Sequence, residues 1–443
     1  MNSTLQRTIV VVGAVTLLAG VLRFSNLSRP EEKVFDETYY ASDGCWYAGI
    51  DYRKCGLDDD VERSWVHPPL GKQLIAVGID GFGNRSLGWR MAGAAAGTVT
   101  VALAGALGFL LFGSALWAGV GALLLATESL HFVQSRIAMV DVFLAMFVVL
   151  GFLLLVADRR RVDAGSRPAR AFPPLQLAAG AAFGAAIASK WSGLLALLGG
   201  AILAVAWGWR RRRDERSPGL ALLRAEGIGL VLAFAVVPFA VYLLTYLPWL
   251  AARGFDLGAW ADQHRGMADF HLGLSTLNES GDPIHPYMSR AWTWLFLLRP
   301  VAYFWEGTDF TGAEILAIGN PALFWGGVIV IPYLAYIWRK RKDWTAGAIL
   351  VAILAQYLPW LIVARPLFLF YMTPVSPFLA LGAAYLLRDL AAVRVEGRPL
   401  GAPAAALLLL ASVAVFFFFL PVLTGDPIKL SSWSSRMWFD GWI

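Results

Sequence analysis

The sequence predicts an all-α polytopic membrane protein, and three observations carry that expectation. The 443 residues are 58% hydrophobic and 15% charged, whereas a soluble globular chain is about half apolar and a quarter charged. Mean hydropathy is +0.59. Apolar runs of about 20 residues recur along the chain, long enough to cross a hydrocarbon core of about 30 Å. Backbone groups in lipid must be satisfied within their own segment, so these runs are helices. "VTVALAGALGFLLFG" lacks the alternation of a barrel strand. No long polar segment separates the runs, so 1–443 reads as a single membrane domain.

Taken in order, eleven spans are expected, at 8–26, 88–112, 115–133, 138–157, 174–189, 191–209, 226–249, 320–338, 344–363, 367–387 and 400–421. The stretch "AIASKWSGLL" separates the fifth from the sixth, because without a break at Ser189 and Lys190 the region is too long for one crossing. The first span is expected to be retained, since Arg23 follows its apolar run and no small-x-small cleavage site comes after it.

Clustered basic charge gives the orientation. "DRRRVDAGSRPAR", "WRRRRDERSPG", "RKRK" and "RDLAAVRVEGR" all fall on one side when the helices are counted, and the positive-inside rule makes that side cytoplasmic. The net charge of +6 is therefore a topology signal, and no nucleic-acid partner is expected. Residues 27–87 and 250–319 then form two large extracytoplasmic loops, with the C-terminal stretch on the same side. Both cysteines, Cys45 and Cys55, lie in the first loop. An oxidising compartment predicts a disulfide between them.

The chemically promising motifs gather on that outer face. "FDETYY" holds Asp36 and Glu37 side by side. Adjacent residues project about 100° apart in a helix and to opposite faces in a strand. They cannot both aim at one reacting atom, so one acid suits a general base and the other a positioning group. In "HPPLGK", the prolines suit a first helical turn, with His67 and Lys72 as polar candidates beside it. Arg136, Lys190 and Arg365 each lie at the outer end of an apolar span. A cation there is costly unless paired or bound to an anion, and arginine binds phosphate bidentately. Each alone also fits a side chain snorkelling to the headgroups. Asp141 is expected to neutralise Lys190. His264, His271 and Glu279 match no zinc spacing, and "DDD" at 58–60 lacks an EF-hand context, so no metal is expected.

Together "FDETYY", "HPPLGK", "SRIAMVD", "SKWSGL", "QHRGMADFH" and "RPLFLFYMTPVSPF" resemble the protein O-mannosyltransferases in their bacterial form, in order and over nearly the whole chain. "FDE" followed by "HPPLGK" is the specific part of the likeness. The resemblance implies a GT-C glycosyltransferase with about eleven spans in a bacterial plasma membrane. Such an enzyme takes mannose from polyprenyl-phosphate-mannose to Ser or Thr hydroxyls of secreted or membrane proteins, without a cofactor. It implies Asp36 as catalytic base, Glu37 in acceptor positioning, Arg136 at the catalytic face and Arg365 near the donor phosphate. Lys190, His67, Lys72 and His271 join the expected substrate-binding set. Residues 250–319 are too few for the soluble β-trefoil domain of the eukaryotic members. Two alternatives stay open on the residues alone. One is a GT-C enzyme moving another lipid-linked sugar to a glycan or lipid. The more distant one is a transporter or flippase, although the chain shows no internal repeat.

Overall fold

The computed structural model describes residues 3–58, 62–165, 173–278 and 280–443. Asp59, Asp60 and Glu279, weighed above as metal ligands, lie outside them.

The first span is α1 (Ser3–Phe24). Outside it follow the short α2 (Glu37–Tyr47) and the amphipathic α3 (Leu70–Phe82). Next come α4 (Ser86–Phe112), α5 (Ala115–Ala126) and α6 (Ser129–Arg136). They lead to α7 (Asp141–Asp163), α8 (Pro174–Ser189), α9 (Gly193–Arg211) and α10 (Pro218–Thr245). α11 (Leu257–Gly273) lies in the second large loop. The last spans are α12 (Pro321–Arg341), α13 (Trp344–Tyr357), α14 (Ser376–Ala391) and α15 (Gly401–Thr424).

All eleven expected segments contain helix at their predicted places. Among the described residues, eight helices are long and apolar enough to cross a membrane, or nine with the bent α5–α6 pair. The helices α8 and α14, 16 residues each, fall short of that length, so the count agrees only approximately with the eleven expected. α4 is the hub, packed against α1, α3, α5, α7 and α14. α8 touches α10 so closely that a Cβ on Gly180 would sit 1.9 Å from the Ala233 carbonyl oxygen.

Two spans depart from the simple expectation, each for a local reason. The run 115–133 is not one rod: α5 and α6 meet at 60°. Glu128 holds the bend by accepting from the Leu130 and His131 amides at 3.0 and 2.7 Å, and from the Asn320 amide at 3.0 Å. The tenth span begins at Ser376 rather than 367, because Pro366 and Pro374 leave only a single turn, Leu369–Met372, before it.

Nor are the two large loops irregular. The second contains β1 (Val301–Gly307) and β2 (Thr311–Ala317), joined in a three-stranded antiparallel sheet by β3 (Ile428–Lys429) from the C-terminal stretch. The register runs from Val301 opposite Ala317 to Gly307 opposite Gly312, with an irregularity around Tyr303. In the first loop Cys45 and Cys55 form the expected disulfide.

Candidate active site

The site gathers where α2 begins, α7 begins, α8 ends and the broken segment before α14 runs past. Its first residue is strained. Phe35 adopts φ 47°, a left-handed backbone that costs a non-glycine residue about 1–3 kcal/mol. Its ring is stacked on Tyr303 of β1, centroids 4.3 Å apart. Asp36 follows at the N-cap of α2, where its carbonyl accepts the first helical amides but its carboxylate caps nothing. Among the described residues that carboxylate has no hydrogen-bond partner, and it is partly accessible. Burial pushes it up to about 7, against the pull of Lys190 and with the push of Asp141.

Glu37 is its opposite. The side chain is fully buried, and its oxygens accept from Arg90 Nε and Nη2 at 2.8 Å each. They also accept from the Ala138 amide at 2.8 Å and the Val34 amide at 3.0 Å. Arg90 in turn donates to the carbonyls of Leu27, Pro30 and Glu32. Sequence reasoning missed Arg90, although an arginine inside the apolar run "GWRMAGAAAG" was the available signal. The pair ties the start of the first loop to α4 and to the entry of α7. With every contact made to protein, Glu37 presents nothing to an acceptor.

Lys190 Nζ lies 2.9 Å from both oxygens of Asp141, the neutralisation expected. The ammonium also stands 4.8 Å above the Tyr371 ring. Arg365 is differently placed. It donates to His271 Nδ1 at 3.0 Å and to the Tyr371 hydroxyl at 3.1 Å, both uncharged acceptors, and its Nε is buried without a partner among the described residues. His271 must accept at Nδ1, so its Nε2–H donates to the Val66 carbonyl at 3.0 Å. Burial, with the Arg365 and Lys190 cations, holds this imidazole below its ordinary range and therefore neutral. His67, 5.5 Å from His271 ring to ring, is held low in the same way by burial and by Lys190.

Asp36, Lys190, His67, His271 and Arg365 thus come together. Arg136 and Lys72 do not join them. Arg136 spreads over the carbonyls of Leu22, Arg23 and Ser25 at 2.6–3.1 Å, closing the C-terminus of α1. Lys72 is fully buried on Glu62, the Ser64 and His67 carbonyls and Asp43. Each is consumed in shaping the loop that carries Asp36. His264 bonds Tyr242 and the Trp260 carbonyl, apart from His271.

Residues 81–250 match the family model for dolichyl-phosphate-mannose-protein mannosyltransferase, and residues 257–442 match the C-terminal four-span region of protein O-mannosyltransferase. A polyprenol-phosphate-mannose–protein mannosyltransferase of Mycobacterium tuberculosis is 33% identical, over 98% of this chain and 91% of that one. The fold is similar to the Saccharomyces cerevisiae protein O-mannosyltransferase Pmt1-Pmt2 complex bound to the sugar donor, with a TM-score of 0.82 at 14% identity, covering 100% of this chain and 93% of that one. ArnT from Cupriavidus metallidurans bound to undecaprenyl phosphate is similar at a TM-score of 0.58 and 18% identity, over 96% of this chain and 77% of that one.

Proposed function

The chain belongs to the protein O-mannosyltransferase family, and from that membership we propose that Asp36 is the base of an inverting mannosyl transfer at the outer membrane face. The protein is a multi-pass GT-C glycosyltransferase that moves mannose from a polyprenyl-phosphate carrier to protein. The observation that carries the site assignment is the unpaired, partly accessible Asp36 carboxylate beside the Lys190–Asp141 pair.

The chemistry follows from which charges are spent. The acceptor Ser or Thr hydroxyl attacks the anomeric carbon as Asp36 takes its proton. The bond from that carbon to the phosphate oxygen breaks, and its electron pair leaves with the polyprenyl phosphate. Direct displacement turns a β-linked donor into an α-mannoside. Arg365 suits the leaving phosphate because no carboxylate compensates it, and charge developing on an oxyanion is best met by a preorganised cation. Lys190 is shared between Asp141 and the approach to Asp36, so it tunes the base while extending the cationic field. Glu37, with Arg90, orients the turn that presents Asp36. The acceptors are secreted or membrane proteins, and the enzyme resides in a bacterial plasma membrane with this site outside, as the basic loops at the other end of the bundle imply.

The test offers purified enzyme in lipid radiolabelled polyprenyl-phosphate-mannose and a Ser/Thr-rich peptide. Label should appear on peptide hydroxyls. Label recovered only on a lipid or glycan acceptor would overturn the reading in favour of a related GT-C transferase.

A further inference from the structure

On the roles proposed above for Asp36 and Arg365, the sugar ring lies between them, since the anomeric carbon sits between attacking and departing oxygens. We propose that Trp191 is the platform on which the donor's mannose packs, a specificity-determining residue for the sugar rather than for the lipid phosphate. The proposal rests on the mannosyl-transfer reading above.

Trp191 directly follows Lys190 in the turn between α8 and α9. Its Nε1–H donates to the Tyr242 hydroxyl at 2.9 Å. The orientation of that hydroxyl can be assigned. His264 Nδ1 faces the Trp260 carbonyl at 2.8 Å and must donate to it, so His264 Nε2 accepts from Tyr242 at 2.8 Å. The chain of donors runs from Trp191 through Tyr242 and His264 to the backbone. The one polar atom of the indole is therefore spent, and the ring is held in place. What remains for a ligand is apolar ring surface.

Position and partial exposure point the same way. The Trp191 ring centroid is 6.0 Å from that of His271, which carries Arg365, and its neighbour in sequence is the lysine that attracts Asp36. Other rings of the site are occupied. Lys190 stands over Tyr371, Phe35 is stacked on Tyr303, and Tyr40 is buried. Trp191 is half-buried, flanked by the imidazoles of His264 and His271 at 6.2 and 6.0 Å between centroids, tilted by 32° and 55°, and among the described residues no cation stands over it. A pyranose offers exactly one surface suited to such a ring, its C–H face, whose positive edge complements the negative π face. A bare phosphate offers none.

That difference makes the proposal testable on full-length enzyme in lipid. For Trp191→Leu the KM for polyprenyl-phosphate-mannose should rise about tenfold, while inhibition by sugar-free polyprenyl phosphate stays within about twofold. Trp191→Tyr should recover most of the loss. Equal weakening toward both lipids, no change toward either, or a Tyr variant as poor as Leu would overturn the platform. Should the Leu variant fail to fold, Trp191→Phe must show the same split more weakly, and its absence counts equally against the proposal. A wild-type enzyme that transfers no mannose would instead overturn the mannosyl-transfer reading itself.

Discussion

The two ends of the bundle are both rich in charge, yet only one looks reactive. At the end formed by the α7, α9 and α14 C-termini, the less exposed cations are neutralised or covered, whereas Arg210, Arg339 and Lys340 lie in solvent. Arg211 and Arg212 share Glu226 at 3.1 and 2.6 Å, and Arg341 and Arg388 share Asp389. Arg159 is paired with Asp163 and lies between the rings of Trp207 and Trp344 at 4.7 and 4.2 Å. At the other end, among the described residues, the Asp36 carboxylate has no hydrogen-bond partner and Arg365 is bound only to neutral groups. Charge density does not mark the site. Half-buried charge left without a charged partner, and held there by compensated neighbours, does.

The largest expected effect strikes the bare acid. Asp36→Asn keeps size but removes proton affinity, so transfer should fall by about 10²- to 10⁴-fold. Binding of the donor, measured separately, should survive because Arg365 is untouched. Near-normal transfer would move the base elsewhere and erase the contrast between the ends. The same residue sets a pH dependence. Only the ionised carboxylate accepts a proton, and its ordinary value is raised to about 7. Transfer should therefore climb as pH rises through about 7 and fall below it. A rate flat from pH 6 to 8, about a unit either side, contradicts this.

Next in size is the spent neighbour. Arg90→Ala leaves Glu37 buried and unpaired, which typically costs about 3–5 kcal/mol. Thermal unfolding in detergent should drop sharply, and Arg90→Lys should not restore it, because one ammonium cannot reproduce the two-pronged contact. A smaller effect is expected for Arg365→Ala, with donor affinity weakened by about 1.5–3 kcal/mol through loss of a charge-assisted contact. Donor titration decides it; an unchanged affinity places the phosphate on other groups. The smallest effect belongs to the far end. Arg213 is 66% exposed beside an exposed Asp214, so Arg213→Ala should leave both transfer and stability unchanged within about 0.5 kcal/mol. A marked loss there would show that the basic end takes part.

Much of this contrast was legible in residues, and what was not has a physical cause. Apolar length alone placed the helices, because lipid leaves the backbone few choices. Arg136, Lys190 and Arg365 stood out as costly cations at span ends, and Asp36 as one of two adjacent acids in the first loop. Partnership did not stand out. Whether an arginine grips a phosphate or a helix terminus depends on which carbonyls lie within reach, and Arg136 found those of α1. Lys72 likewise found Glu62 from its own loop. The Glu37–Arg90 pair joins positions 53 residues apart, a distance no local motif spans. The bend at Glu128 was partly hidden, because one of the three amides that fix it, that of Asn320, lies 192 residues away. The sheet was missed because "VAYFWEG" and "TGAEILA" were read only as part of the second large loop, and the third strand comes from the distant C-terminal stretch.

The disulfide has a practical consequence. The sequence contains two cysteines, and both are consumed in the Cys45–Cys55 bridge. Oxidised protein therefore presents a silent background to thiol chemistry. Any single cysteine added by mutagenesis becomes the sole address for a fluorophore or a nitroxide, without first stripping native thiols. Pairs placed at α11 and at the hairpin between β1 and β2 would report distances across the face that carries Asp36 as lipid donor is added, in a chain otherwise unaltered.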